Sequence, residues 1–140
     1  MIRGLLYPVN PNKAGVNMIR GIGIDICDIS RMRKAISKKG FRERLFSGEE
    51  ISYAESKADP AVHYASSFAA REALSKATGW GIAKLGLNSC PIERTGSGPR
   101  FVFDDATLSR FSEEGIDQVF LTISHEAGIA VAVVVLEKNR

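Results

Sequence analysis

Gly21-Ile22-Gly23-Ile24-Asp25-Ile26 is the stretch that decides the fold class of this 140-residue chain. Isoleucines alternate in it with two glycines and an aspartate, which is the two-residue period of a β-strand. We expect the isoleucines to face the core. Glycines weaken a strand, so Gly21 and Gly23 predict that another element approaches the backbone closely on the opposite face. Asp25 would then be a carboxylate beside open space.

Helix signals fill the next fifty residues. Asp28 is placed to cap a helix that runs to about Lys39, with Gly40 as its stop. Its inner apolar stripe consists of Ile29, Met32 and Ile36. The spacing of Ser47 and Glu50 is that of a capping box and predicts a short helix to about Lys57.

The longest predicted helix begins at Asp59-Pro60, with aspartate as cap and proline at the first helical position, and ends at Gly79. Phe68, Glu72 and Lys76 are four residues apart and form one column on its surface. A neighbouring column contains only alanines, which allows close packing: Ala65, Ala69, Ala73 and Ala77.

Strand patterns dominate the second half. Residues 87–95 and 100–103 flank Gly96-Ser97-Gly98-Pro99, which we interpret as a hairpin turn. Asp104 or Asp105 caps a short helix that stops at Gly115. A strand alternates through Val119, Leu121 and Ile123, and the apolar run 129–136 predicts a strand buried on both faces. Strands and helices in this order indicate an α+β fold.

Composition places the chain among ordinary globular proteins, with 44% apolar and 25% charged residues. We assign residues 1–17 to a flexible N-terminal lead-in and residues 18–140 to one domain. Cys27 and Cys90 stand alone, so a reducing cytoplasm is the expected compartment. A net charge of +3 is too small to demand nucleic acid.

Positive charge is concentrated between residues 31 and 44. Seven lysines and arginines lie there against one acid, Glu43. This pattern favours an acidic partner and a solvated helix face about equally.

Several polar residues have both a structural and a chemical interpretation. Glu72 and Lys76 have the spacing of an ordinary helical salt bridge, and Asp25 could hydrogen-bond the following turn. The two carboxylates together could instead hold Mg²⁺, which takes one or two carboxylates plus substrate phosphates and water. His125, in Ile123-Ser124-His125-Glu126, could bind a phosphate, act as a base or merely close a turn.

Three segments in this order resemble the holo-acyl-carrier-protein synthases, the small phosphopantetheinyl transferases. They are Gly21-Ile22-Gly23-Ile24-Asp25-Ile26 with Arg31 downstream, Phe68–Ala77 followed by Gly79-Trp80-Gly81-Ile82, and Ile123–Glu126 leading to Ala130-Val131-Ala132. The resemblance covers about residues 18–137. It implies a single α+β domain in which an antiparallel-rich sheet packs against a long helix.

The chain departs from the family pattern at three places. Ser67 stands where the family usually has an arginine, and Arg71 replaces its usual lysine. The common Gly-Lys-Pro turn is Ser97-Gly98-Pro99, so that a basic contact is missing or is supplied by Arg100.

The resemblance implies an enzyme that moves 4'-phosphopantetheine from coenzyme A to a serine of acyl carrier protein, in support of fatty acid biosynthesis. Asp25 and Glu72 would bind Mg²⁺ and, with Lys76, form the catalytic set. We hypothesise that Glu72 also assists removal of the serine proton. The implied coenzyme A contacts are Arg71, Ser75, Lys76, Gly79, Gly81 and His125.

The resemblance also assigns partners. An acidic carrier protein would dock on a face made of Arg31, Met32, Phe41, Arg44 and Leu45, and the family implies a homotrimer with sites at subunit interfaces. Two other classes remain open: a non-catalytic module that binds coenzyme A or the carrier protein, and a basic nucleic-acid-binding domain. The second is disfavoured by the short basic stretch and the few exposed aromatic candidates.

Overall fold

The structure, a computed structural model, describes residues 17–86 and 89–139. Most of the lead-in and Leu87, the predicted start of a strand, lie outside these ranges. The elements follow the order β1 (Asn17–Asp28), α1 (Ile29–Ile36), α2 (Phe41–Leu45), α3 (Gly48–Glu55), α4 (Pro60–Thr78), α5 (Ile82–Leu85), β2 (Ile92–Thr95), β3 (Gly98–Phe101), α6 (Asp105–Glu114), β4 (Gln118–Glu126) and β5 (Ile129–Asn139).

Three strands form the main sheet, in the order β1-β5-β4, and each pairing is antiparallel. Strand β5 is central, so Ala132 pairs with Asp25 on one side and with Ile123 on the other. Strands β2 and β3 form a separate hairpin whose two-residue turn is Gly96-Ser97. The predicted α+β class is confirmed.

Helix α4 crosses one face of this sheet and contacts β1 more closely than a side chain would allow. A Cβ on Gly23 would lie 1.8 Å from the carbonyl oxygen of Ala73, and one on Gly21 would lie 2.1 Å from that of Ala77. Only glycine fits at these positions, because backbone meets backbone there. The close approach predicted from the glycines is therefore confirmed, and its cause is α4.

This contact reverses the predicted orientation of β1. Ile22, Ile24 and Ile26 are 59%, 54% and 60% exposed, so the expectation that they face the core is wrong. A two-residue period separates the faces of a strand but does not say which face is covered. The helix covers the glycine face, since small residues allow two backbones to pack.

Strand β5 shows the same asymmetry. Ala130, Ala132, Val134 and Leu136 are fully buried beneath α4, whereas the alternate valines are only half-buried. The prediction that this strand is buried on both faces is wrong in the single chain. The sheet has an inner face, which packs on α4, and an outer face, which carries the exposed isoleucines.

Most helix ends follow the capping signals. Asp28 accepts a hydrogen bond from the Arg31 amide at 2.9 Å, and both bonds of the Ser47–Glu50 capping box form. Helix α1 ends at Ile36, before the predicted stop, and Gly40 instead begins the unpredicted α2 in a left-handed conformation. Asp59 precedes α4, but its carboxylate binds Arg33 at 2.6 and 3.0 Å.

Helix α6 completes the core below the hairpin. Asp104, the first of the two predicted caps, accepts from the Thr107 amide at 2.8 Å, and Gly115 ends the helix with φ 71°. Within residues 17–86 and 89–139 no helix has both the length and the apolar character that membrane crossing requires.

Candidate active site

Asp25 lies on the inner face of the sheet, where β1 passes beneath α4. It follows Gly21 and Gly23 on that face, and its side chain is 17% exposed. Its carboxylate is therefore partly withdrawn from water but still open on one side, as predicted.

Lys76 connects α4 to this carboxylate. Its Nζ donates to Asp25 Oδ1 at 3.0 Å and to the backbone oxygen of Ile24 at 2.9 Å. Lys76 thus crosses to β1 and forms its ion pair with Asp25. The ordinary helical salt bridge with Glu72, considered as the structural alternative, is not the arrangement found.

Glu72 lies one turn before Lys76 and faces the same region. Burial first, and the negative charge of Asp25 second, raise the pKa of Glu72, while Lys76 opposes the shift. The charge of Asp25 acts on Glu72, so the two carboxylates face the same region. The inner face therefore brings together Asp25, Glu72 and Lys76, the set that the resemblance implies.

Cys27, the next inner-face residue of β1, faces both carboxylates. Burial and then the charge of Asp25 raise its pKa to about 11, so it is a neutral thiol at physiological pH. We therefore assign it no nucleophilic role.

The donor set fits a hard divalent cation. Two carboxylates with one lysine leave residual negative charge, and oxygen donors are those that Mg²⁺ prefers. Among the residues that the structure describes, no group of three or more His, Cys, Asp or Glu side chains forms a fuller metal cage. A two-carboxylate site is one that substrate phosphates and water complete.

Arg71 requires a correction. Its side chain is 1% exposed, one terminal nitrogen donates to Glu50 of α3, and Nε donates to the Ser89 oxygen at 3.2 Å. The guanidinium also lies over the Phe46 ring, 5.2 Å from its centre. A charge so enclosed ties α3 and α4 together and is not available to coenzyme A.

The remaining residues that the resemblance assigns to coenzyme A differ in solvent exposure. Ser75 is only 7% exposed, so little of this residue reaches the surface. Gly79 and Gly81 are exposed and left-handed, with φ 75° and 74°, and open space lies where their side chains would be. Trp80 between them donates its Nε1–H to Glu114 at 2.9 Å, which fixes the loop to α6.

His125 lies near the end of β4 on the inner side of the sheet. It pairs with Ala130, which also pairs with Cys27, so these three residues form one row across the strands. The neighbouring row contains Asp25. His125 is exposed and is therefore placed at the edge of the same face as the carboxylates.

The predicted docking face is only partly at the surface. Arg31 and Arg44 are exposed, but Met32 is 5% exposed and belongs to the core, so its assignment to the docking face is wrong. Phe41 and Leu45 are half-buried against the same core cluster. The apolar members of this set mainly hold α1 and α2 in place.

Sequence reasoning missed two polar residues that the fold brings to α4. Glu50 was identified only as a capping residue, yet its carboxylate also accepts from Arg71 and from the Ile92 amide. Arg94 of β2 donates to Ser67 at 3.2 Å. Neither contact has a local sequence signal, since each joins segments more than twenty residues apart.

The fold and this face together define a class of protein. The model of the 4'-phosphopantetheinyl transferase superfamily matches residues 21–134. The chain belongs to this superfamily, and it is a transferase enzyme of the holo-acyl-carrier-protein synthase type.

Relatives and solved structures agree with this assignment. The holo-[acyl-carrier-protein] synthase of Cytophaga hutchinsonii is 40% identical over 127 residues, covering 87% of this chain and 100% of the relative. That of Geotalea daltonii is 37% identical over 127 residues, covering 86% and 100%. The Neisseria meningitidis enzyme is similar in structure, with a TM-score of 0.79, 33% identity and coverage of 86% and 100%.

Several of the similar structures contain a ligand. The Bacillus anthracis enzyme, in complex with coenzyme A (3',5'-ADP), has a TM-score of 0.72 and 33% identity, with 86% of this chain and 98% of that chain covered.

Proposed function

We propose that this enzyme transfers 4'-phosphopantetheine from coenzyme A to a serine of apo-acyl carrier protein, with Asp25 and Glu72 as ligands of Mg²⁺. The observation that carries the proposal is the convergence of Asp25, Glu72 and Lys76 on one face between β1 and α4. The serine hydroxyl attacks the phosphorus that bears the pantetheine arm, and adenosine 3',5'-bisphosphate leaves.

Each charged residue has its own role in the proposed transfer. When bound, Mg²⁺ supplies neutralisation of charge on the diphosphate oxygens, and phosphoryl transfer depends mainly on such neutralisation and on positioning. Asp25 and Glu72 hold the ion, and Lys76 presents a fixed positive charge beside them. His125, at the edge of the face, contacts a phosphate group.

Glu72 also assists removal of the serine proton, directly or through a water. Its raised pKa moves this carboxylate towards the range in which it exchanges protons at working pH. A Glu72→Gln enzyme that binds coenzyme A and magnesium normally but transfers slowly would agree with this role. Wild-type turnover in that variant would exclude it.

The acidic carrier protein docks beside α1 and α2. Arg31 and Arg44 are exposed there, whereas Arg33 and Arg42 already bind Asp59 and Glu55. The docking charge is therefore smaller than the count of seven suggests. Attraction between exposed charges is screened beyond about 10 Å at 0.1 M salt, so the KM for carrier protein should rise with salt.

The outer face of the sheet supports a homotrimer with sites at subunit interfaces. Its exposed isoleucines form a contiguous apolar row on β1, next to half-buried valines of β5 and the partly exposed Phe120 of β4. Rows of this kind are usually covered in a working protein. A second copy is the occupant that the family implies.

We place the enzyme in the cytoplasm and in fatty acid biosynthesis. Both cysteines are free thiols, Cys27 half-buried and Cys90 buried, which agrees with a reducing compartment.

Intact mass spectrometry tests the function. Apo-carrier protein incubated with the enzyme, coenzyme A and Mg²⁺ should gain the mass of one phosphopantetheine, and chelator should abolish the gain. A carrier in which the acceptor serine is replaced by alanine is the control. An unchanged carrier mass with wild-type enzyme and Mg²⁺ would refute the proposal.

A further inference from the structure

The single tryptophan of the chain is anchored beside the end of α4. Trp80 follows Gly79, where the helix ends, and is 8% exposed. The Arg110 guanidinium lies over its ring, 4.0 Å from the centre, and the Phe111 ring stacks on it at 5.2 Å. Its indole Nε1–H donates to Glu114 Oε1 at 2.9 Å. Three residues of α6 therefore hold this one side chain.

The backbone around Trp80 has little stiffness of its own. Gly79 and Gly81 have positive φ angles of 75° and 74°, and a Cβ on either residue would lie in open space. Glycine has more backbone freedom to lose on ordering than any other residue. A loop with glycine on both sides of its one large side chain is therefore ordered chiefly by what that side chain contacts.

Glu114 occupies a position that its own helix disfavours. It is the last residue of α6, where the negative end of the helix dipole repels a carboxylate. Arg20 of β1 and Arg110 offset this repulsion, each with a nitrogen 3.7 Å from a Glu114 oxygen. The carboxylate thus joins β1, α6 and the loop after α4. A departure from a local rule is expected where function requires it.

We propose that Glu114 is a positioning residue, which acts through Trp80 to order residues 79–81 before coenzyme A binds. This inference rests on the proposed function, because that function brings coenzyme A to the end of α4, where Lys76 lies one turn before the loop. With the anchor in place, the loop is ordered during folding and not during binding. Without it, the ligand must order the two glycines itself, which weakens binding but leaves the bound geometry unchanged.

Ligand affinity and loop mobility are measured separately in the full-length chain. Glu114→Ala removes the acceptor, so calorimetric titration should show about tenfold weaker binding of coenzyme A, with wild-type kcat once coenzyme A is saturating. Acrylamide quenching of the single tryptophan should rise in this variant and fall again when coenzyme A is added. Glu114→Gln keeps an oxygen that accepts from the indole and should restore both values. Glu113→Ala, an exposed position on the same turn of α6, is the control.

A second variant tests whether Glu114 acts through Trp80. Trp80→Phe keeps an aromatic ring and removes the N–H donor, so it should weaken coenzyme A binding as much as Glu114→Ala does. The double variant should bind no more weakly than either single variant, since both changes remove the same hydrogen bond. Additive losses in the double variant would overturn the proposal. Wild-type affinity in Glu114→Ala would overturn it too, and would assign the contact to folding alone.

The transfer assay separates this inference from the proposed function. Coenzyme A binding that depends on Glu114, in an enzyme that never modifies a carrier protein, would leave the positioning role standing and remove the function. Transfer to the carrier protein with an unchanged coenzyme A affinity in Glu114→Ala would do the reverse.

Discussion

The two faces of the three-stranded sheet differ in side-chain size and in what covers them. The inner face of β1 carries Gly21, Gly23 and Asp25 and lies against α4, so small residues give the helix backbone room and leave Asp25 beside Glu72. The outer face of the same strand carries large isoleucines that are more than half exposed. The comparison teaches that the face with less apolar surface carries the candidate site, whereas the apolar face of β1 stays exposed in the single chain.

Removing charge from the inner face should have the largest effect. Asp25→Asn removes the negative charge of one of the two proposed metal ligands and of the ion pair with Lys76, so transfer should fall by about 10²–10³-fold. Initial rates at saturating coenzyme A measure this. Glu113→Gln removes an exposed carboxylate on α6 and serves as the control. A rate in Asp25→Asn within a few fold of wild type would contradict the assignment.

A methyl group on the inner face should be the next largest change. Gly23→Ala places a Cβ against the Ala73 carbonyl oxygen, so β1 and α4 must separate, with a loss of about 3 kcal/mol in the free energy of unfolding. Urea denaturation gives the value. Gly48→Ala is the matched control, because nothing lies within 4 Å of its Cβ position and alanine favours a helix. Equal stability of the two variants would show that the close approach is wrong.

The sequence contains enough to predict the strand and the long helix, because these depend on local periods and spacing. The carboxylates at the candidate site follow only from the family resemblance, since spacing alone also allows a helical salt bridge and a turn contact. The sequence does not indicate which face of β1 is covered by α4. Apolar content assigns the isoleucines to the core, whereas the packing of glycines against the alanine column of α4 decides otherwise. The predicted contact of Arg71 with coenzyme A is wrong for a related reason. The charge of Arg71 is visible in the sequence, but its buried partner Glu50, twenty-one residues away, is not.

A charge on the outer face should affect assembly of the chains more than folding of the single chain. Ile22→Glu places a carboxylate in the exposed apolar row, so the variant should sediment as single chains at concentrations at which the wild type is expected to form the proposed trimer. Ile22→Val keeps the row apolar and should assemble normally. If the wild type is itself monomeric at micromolar concentration, the outer face has a different role.

The smallest expected effect is the change in thermal stability that results from ionisation of Glu72. Because the folded pKa of Glu72 is raised, ionising it is harder in the folded chain than in the unfolded one, and stability is lost as pH rises above its ordinary value of 4.5. In chelator, Glu72→Gln should therefore unfold at a slightly higher temperature than wild type near neutral pH. The difference should vanish near pH 4. A less stable variant near neutral pH would mean that the carboxylate has a stabilising partner.

The most direct measurement of the central claim is Mn²⁺ binding, followed by electron paramagnetic resonance in the presence of coenzyme A. Manganese takes the same oxygen ligands as magnesium and reports free and bound ion separately. We predict one bound ion per chain in the wild type and about tenfold weaker binding in both Asp25→Asn and Glu72→Gln. Wild-type affinity in both variants would show that these two carboxylates do not hold the metal.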